Sequence, residues 1–133
     1  MAKPEPGRPR TRLSLRIDIH PAGRLGPGKI DLLEAIEDTG SISAAGRAMG
    51  MSYRRAWLLI DSLNGMFRQP LVEAASGGAK GGGAALTPLG REVVAHYRAI
   101  EARIASAAGL HLRALEEAAI QDAPGEAQAS PGV

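Results

Sequence analysis

The sequence predicts a mainly α-helical fold with a small β wing: a winged helix-turn-helix followed by a long C-terminal dimerisation helix. Three observations predict it. Residues 41–64, SISAAGRAMGMSYRRAWLLIDSLN, read as two short helices on either side of a tight turn at Gly50-Met51-Ser52. Residues 71–86 place two short apolar runs around a glycine-rich tip, SGGAKGGG. From Leu89 to Leu115, apolar residues recur at intervals of three and four with no proline before Pro124.

The chain begins with MAKPEPGRPRT, residues 1–11, rich in proline and basic side chains. Such a stretch buries too little to be ordered, and reads as a disordered tail or as a basic arm placing Lys3, Arg8 and Arg10 on DNA. Leu13, Leu15, Ile17 and Ile19 alternate with Ser14, Arg16 and Asp18, the period of a half-buried strand. Pro21, Gly23, Gly26, Pro27 and Gly28 then read as a loop. Ile30, Leu32, Leu33, Ala35 and Ile36 give residues 29–38 a broad apolar helical face, and Thr39-Gly40 ends that helix. It is expected to back the central pair as the third member of a three-helix core.

Within the pair, Ser41 or Ser43 caps the first helix and Ser52 the second, a hydroxyl accepting from a free first-turn amide. Gly50 ends the first helix, because it tolerates a left-handed backbone. Ala45, Met49, Met51, Ala56 and Leu59 fit the inner faces, and the small Ala45 and Gly46 admit a close crossing. At about 100° per residue, Ala56, Ile60, Leu63 and Phe67 gather on the core side of the second helix. Arg54, Leu58, Asp61 and Ser62 fall opposite, with Arg55 and Trp57 on the flanks. This is the layout in which a second helix enters the major groove of double-stranded DNA. Ser52, Tyr53, Arg54, Arg55 and Leu58 are the candidate contacts: arginine pairs with guanine or phosphate, and leucine meets a thymine methyl. Taken alone, two arginines on a helix are ordinary solvated residues; the turn pattern around them makes them candidates. The helix runs to about Phe67, with Asn64-Gly65 a point of fraying and Gln69-Pro70 the stop.

Residues 71–74 and 84–86 read as the two strands of the wing, with Lys80 the charge at its tip. The tip is either a phosphate-touching wing or a plain loop. A phosphate-cradling P-loop is excluded, since Gly81 follows Lys80 where a serine or threonine is required. Thr87-Pro88 starts the long helix, with threonine at the cap and proline at the first position. Its seam of Leu89, Val93, Tyr97, Ile100, Ile104, Ala107, His111 and Leu115 is the expected homodimer interface, the alternative being a helix folded back on its own core. Gly109 is a weak point within it but not a stop. Residues 122–133, DAPGEAQASPGV, read as a disordered tail. The expected organisation is therefore a basic arm at 1–11, a DNA-binding domain at 12–87, a dimerisation helix at 88–121 and the tail.

The totals agree with one domain carrying tails: 133 residues, 44% apolar, net charge +2. The charge permits nucleic-acid binding without requiring it. With one Phe, one Trp and two Tyr, the core must rest on aliphatic residues. The absence of cysteine excludes disulfides and thiolate-bound metals. No signal peptide and no membrane-length apolar run is visible, so a cytoplasmic protein without membrane contact is expected. His20, His96 and His111 are scattered, the serines sit at caps or in loops, and Glu34, Glu37, Asp38, Glu116 and Glu117 read as solvated faces. No catalytic set, metal site or cofactor fingerprint emerges, and a non-enzyme is expected. The alternative function is a winged-helix adaptor for protein partners, with Trp57 and Leu58 beside arginine as its surface.

Gly40-Ser41-Ile42-Ser43-Ala44-Ala45, Met51-Ser52-Tyr53-Arg54-Arg55-Ala56-Trp57, Ile60-Asp61, Leu63-Asn64 and Leu86-Thr87-Pro88-Leu89-Gly90 follow one another in the chain. The ordered set resembles the N-terminal domain of ModE-type molybdate-responsive transcription regulators, within the wider LysR-like winged-helix group. The resemblance spans roughly residues 13–115. It implies a homodimer that binds operator DNA, with Ser52, Tyr53, Arg54 and Arg55 on the recognition helix and residues 77–83 on the wing. Full-length members of that family also carry a C-terminal molybdate-binding domain with a Ser-Ala-Arg-Asn type loop. This sequence has no such loop, and molybdate binding is not expected within it.

Overall fold

A computed structural model describes residues 11–75 and 83–120. Lys80, most of the N-terminal arm and the C-terminal tail lie outside the described residues. Residues 14–101 form one compact unit, and the chain from residue 102 onward belongs to another.

The first unit opens with a hairpin, β1 (Ile17–Ile19) against β2 (Gly23–Leu25), paired antiparallel with Ile17 opposite Leu25. The alternation from Leu13 to Ile19 is present in the burial, but only its last three residues are strand. Residues 23–25, expected in a loop, pair instead. Glycine and proline mark the ends of the turn rather than excluding a strand of three residues. Leu25 is buried and carries the hairpin into the core.

Helix α1 (Pro27–Thr39) starts at a proline in its first turn and stops at Gly40, whose left-handed backbone (φ 76°) lets its N–H reach Ile36 O at 2.8 Å. Ile30, Leu32, Leu33 and Ile36 on its inner face are fully buried. Helix α2 (Ile42–Ala48) is capped by Ser41, whose hydroxyl accepts from Ala44 N at 2.9 Å. Ser43 instead accepts from Arg47 at 3.0 Å. The turn after α2 contains Gly50 at φ 71°. Helix α3 (Tyr53–Met66) begins at Ser52, whose hydroxyl accepts from Arg55 N at 3.1 Å. Ala45 and Ala56 are fully buried where the two helices cross. A side chain at Gly46 would bring a Cβ to 3.3 Å from that of Ala56, so the closeness of this crossing depends on glycine.

The wing follows as β3 (Val72–Ala75) and β4 (Gly83–Leu86), antiparallel, with Val72 opposite Leu86. Ala84 N donates to Gly40 O at 2.9 Å, which ties the returning strand to the end of α1. Asn64 does not fray α3. Its side-chain oxygen accepts from Leu71 N (2.8 Å) and Val72 N (3.1 Å), and its amide donates to Val72 O (3.3 Å). From the other side, Thr87 donates its hydroxyl to Pro70 O at 2.8 Å and its backbone N–H to Leu71 O at 2.9 Å. The same hydroxyl caps α4 (Pro88–Ala107) by accepting from Gly90 N at 3.0 Å. Gly90 lies so close to the Leu71 carbonyl that no Cβ fits there.

The dimer seam expected from Leu89 to Leu115 divides. Val93 and Tyr97 are buried in the core of their own chain, and Leu89 packs partly against it. Tyr97 donates its hydroxyl to Leu15 O at 2.6 Å. A spacing of threes and fours identifies an apolar face without saying which core it faces, so these three leave the interface assignment. Ile100, Ile104 and Leu115 are exposed, as are Ala107 and His111. The long helix is also interrupted: Ala108 separates α4 from α5 (Gly109–Ala118), in which no residue is buried.

Candidate nucleic-acid interface

Sequence and capping together orient α3. Its apolar stripe of Ala56, Ile60, Leu63 and Met66 is buried, so the opposite face stands in solvent. Ser52, Tyr53, Arg54, Arg55 and Leu58 are all exposed, the five candidates expected on this helix. Arg54 and Arg55 have no side-chain partner among the described residues. That distinguishes them from Arg16 and Arg24, paired with Asp18, and from Arg91, paired with Glu37. Two unpaired guanidinium groups on the first turn of a capped helix leave their donors free for phosphate or for a guanine edge. Asp61, two turns further on, is also exposed and places an acidic group on the later part of the same helix.

The two aromatic residues expected on or beside this face, Tyr53 and Trp57, also touch each other. Trp57 is 39% exposed and Tyr53 58%, and their rings meet edge to face with centroids 6.3 Å apart. The pair forms one wall of a cleft of about 390 Å³ between α3 and the wing strands. Ile42, Ile60, Val72 and Ala84 also line it, and Glu73 is its one ionisable carboxylate among the described residues.

A second charged group lies on α4. Arg98 donates two hydrogen bonds to Glu34 (2.7 and 3.0 Å), one to Asp31 (2.8 Å) and one to Glu101 (2.8 Å). The bonds to Glu34 above all hold its pKa above the ordinary arginine value, against partial burial. With Arg91 on Glu37, this fastens α4 along α1 and gives partners to Glu34 and Glu37, two of the carboxylates expected on solvated faces. The cluster was hidden because its partners lie 64 and 67 positions apart in the chain. Burial likewise raises the pKa of the Tyr97 phenol, with the nearby Glu101 charge adding to it. Among the described residues, no group of His, Asp or Glu side chains is arranged to hold a metal ion. None of their helices is long and apolar enough to cross a membrane.

The region with this geometry matches a known family, the bacterial regulatory helix-turn-helix proteins of the lysR family, over residues 28–91. Residues 28–91 are a lysR-family helix-turn-helix domain. The chain is 50% identical over 82 residues to the molybdenum-pterin-binding protein MopB of Rhodobacter capsulatus, a match covering 62% of this chain and 30% of the relative. It is 46% identical over 96 residues to the molybdenum transport protein ModE of Azotobacter vinelandii, covering 72% and 35%. It is 42% identical over 71 residues to the DNA-binding transcriptional dual regulator ModE of Escherichia coli K12, covering 53% and 27%. The chain thus spans about a third of the length of these curated relatives. The lysR-family match includes the helix pair, the described wing strands and the first turn of α4.

Proposed function

We propose that this chain is a sequence-specific DNA-binding transcription regulator that acts as a homodimer, with α3 as the helix that reads the major groove. The observation that carries the reading is the pair Arg54 and Arg55, exposed and unpaired on the outer face of the second helix of a lysR-family domain. A relative named a DNA-binding transcriptional dual regulator supports it. The dimer would use the apolar residues that stay exposed in the protomer, Ile100, Ile104 and Leu115. Lys80 at the wing tip is a further candidate phosphate contact. Molybdate binding is not assigned to the described residues, and no cofactor is.

The test is selection of duplexes from a random pool, followed by titration at several salt concentrations. Each phosphate neutralised by a cation steepens the fall of log affinity with log salt by about 0.9. Arg54→Ala should cost ~1–3 kcal/mol and relax preference at one base pair, if the contact is bidentate to guanine. Affinity that ignores both salt and the double change of Arg54 and Arg55 to alanine would refute the reading. The exposed Trp57 and Leu58 favour the second reading, a protein-interaction adaptor. Under that reading no sequence is enriched from the pool.

A further inference from the structure

We infer that Trp57, braced by Tyr53, reads the C5-methyl group of a thymine in the bound site, and that this contact makes Trp57 a specificity-determining residue. The inference rests on the proposal that α3 enters the major groove. Its starting point is the wall of aromatic surface described above. At about 100° per residue, Trp57 stands roughly 60° from Arg54 around the helix axis, on the flank facing the wing. Leu58 stands on the other side of Arg54, toward Arg55. Both therefore border the face that carries the unpaired arginines.

The chemistry of the cleft selects what it can meet on a duplex. Its lining is mostly apolar, with few polar groups among the described residues to offer a phosphate. Asn64 is engaged with residues 71 and 72, and the Ser43 hydroxyl, which accepts from Arg47, has only its O–H left to donate. Glu73 carries a negative charge that repels the backbone. What remains on the major-groove side of DNA that is neither charged nor hydrogen-bonding is the thymine methyl. An aromatic ring left 39% exposed beside two free guanidinium groups gains by covering it. Tyr53, edge-on at 79° to the indole, limits the orientations open to that ring.

The experiment replaces thymine by deoxyuridine, one position at a time, in a duplex selected by the 133-residue chain. This removes one methyl group and leaves every hydrogen-bonding edge intact. At one thymine or more, the unaltered protein should bind the uracil duplex about fourfold more weakly, the effect of one buried methyl-sized group. Trp57→Ala should lower affinity for the thymine duplex and erase the difference between the two duplexes at that position. Leu58→Ala should preserve the difference there. Thermal unfolding of each variant checks that the fold is intact; Trp57→Gln, which keeps some bulk but puts a polar end where the ring stood, serves if the alanine variant does not fold. Equal binding of all uracil and thymine duplexes by the unaltered protein would overturn the inference while leaving DNA recognition in place. So would a difference that persists in the Trp57 variant. Failure to enrich any sequence would remove the DNA reading itself, and this inference with it.

Discussion

Asn64 offers the sharpest test of how α3 is joined to the wing. Its side chain makes three hydrogen bonds to residues 71 and 72, two of them accepted from backbone N–H groups that begin β3. Leu71 is fully buried and Val72 nearly so, which leaves little water to replace the lost acceptor. Asn64→Ala strands two backbone donors. At about 1–3 kcal/mol for each unsatisfied group, and with partial burial favouring the low end, the expected loss is about 2–3 kcal/mol. For a unit of this size that lowers the melting temperature by on the order of 10 °C or more. Asn64→Asp keeps the acceptor for both N–H groups but turns an oxygen toward Val72 O, where the amide stood at 3.3 Å. Its stability should fall between the two. Urea titration of the three proteins followed by circular dichroism measures the differences directly. A loss below about 0.5 kcal/mol for the alanine variant would refute the role given to this side chain, since that is the range of ordinary surface changes. So would an aspartate variant no more stable than the alanine one.

Two other perturbations probe the rest of the molecule. Burial raises the Tyr97 pKa above its ordinary value of 10.0, so the unfolded chain releases that proton first. Its contribution is therefore complete below pH 10 and declines as pH rises beyond it; Tyr97→Phe should abolish this decline while costing about 1 kcal/mol at neutral pH through the lost bond to Leu15 O. Ile104→Asp should leave the melting temperature of the protomer almost unchanged, because the side chain is already 40% exposed, yet convert a sedimenting dimer to monomer by placing an unpaired charge in the interface. A monomer already present in the unaltered protein at high micromolar concentration would refute the seam.

What the sequence made legible was local. Serine caps at Ser41 and Ser52, the glycine turn at Gly50 and the core stripe of α3 each follow from the chemistry of a few neighbouring residues. The outer face followed as the complement of that stripe. The features missed depend on residues distant in the chain or on geometry without a composition signal. β2 exists because Leu25 finds Ile17 across a turn. The Arg98 cluster and the Tyr97 bond to Leu15 span 64 and 82 positions, and neither pattern nor propensity reports such a meeting. Asn64-Gly65 reads as a weak helix end by propensity, whereas the asparagine is in fact the fastening of the wing. The seam reads as one undivided face, whereas Leu89, Val93 and Tyr97 pack against the chain's own core, since periodicity is blind to which partner covers a face.

The three residues Pro70, Leu71 and Val72 are gripped from two directions. Asn64, near the end of α3, holds Leu71 and Val72; Thr87, at the head of α4, holds Pro70 and Leu71, while Gly90 abuts the same Leu71 carbonyl. The two helices are thus hydrogen-bonded to the same tripeptide. The end of α3 and the start of α4 therefore share an anchoring residue, Leu71, and a substitution there touches both helices at once.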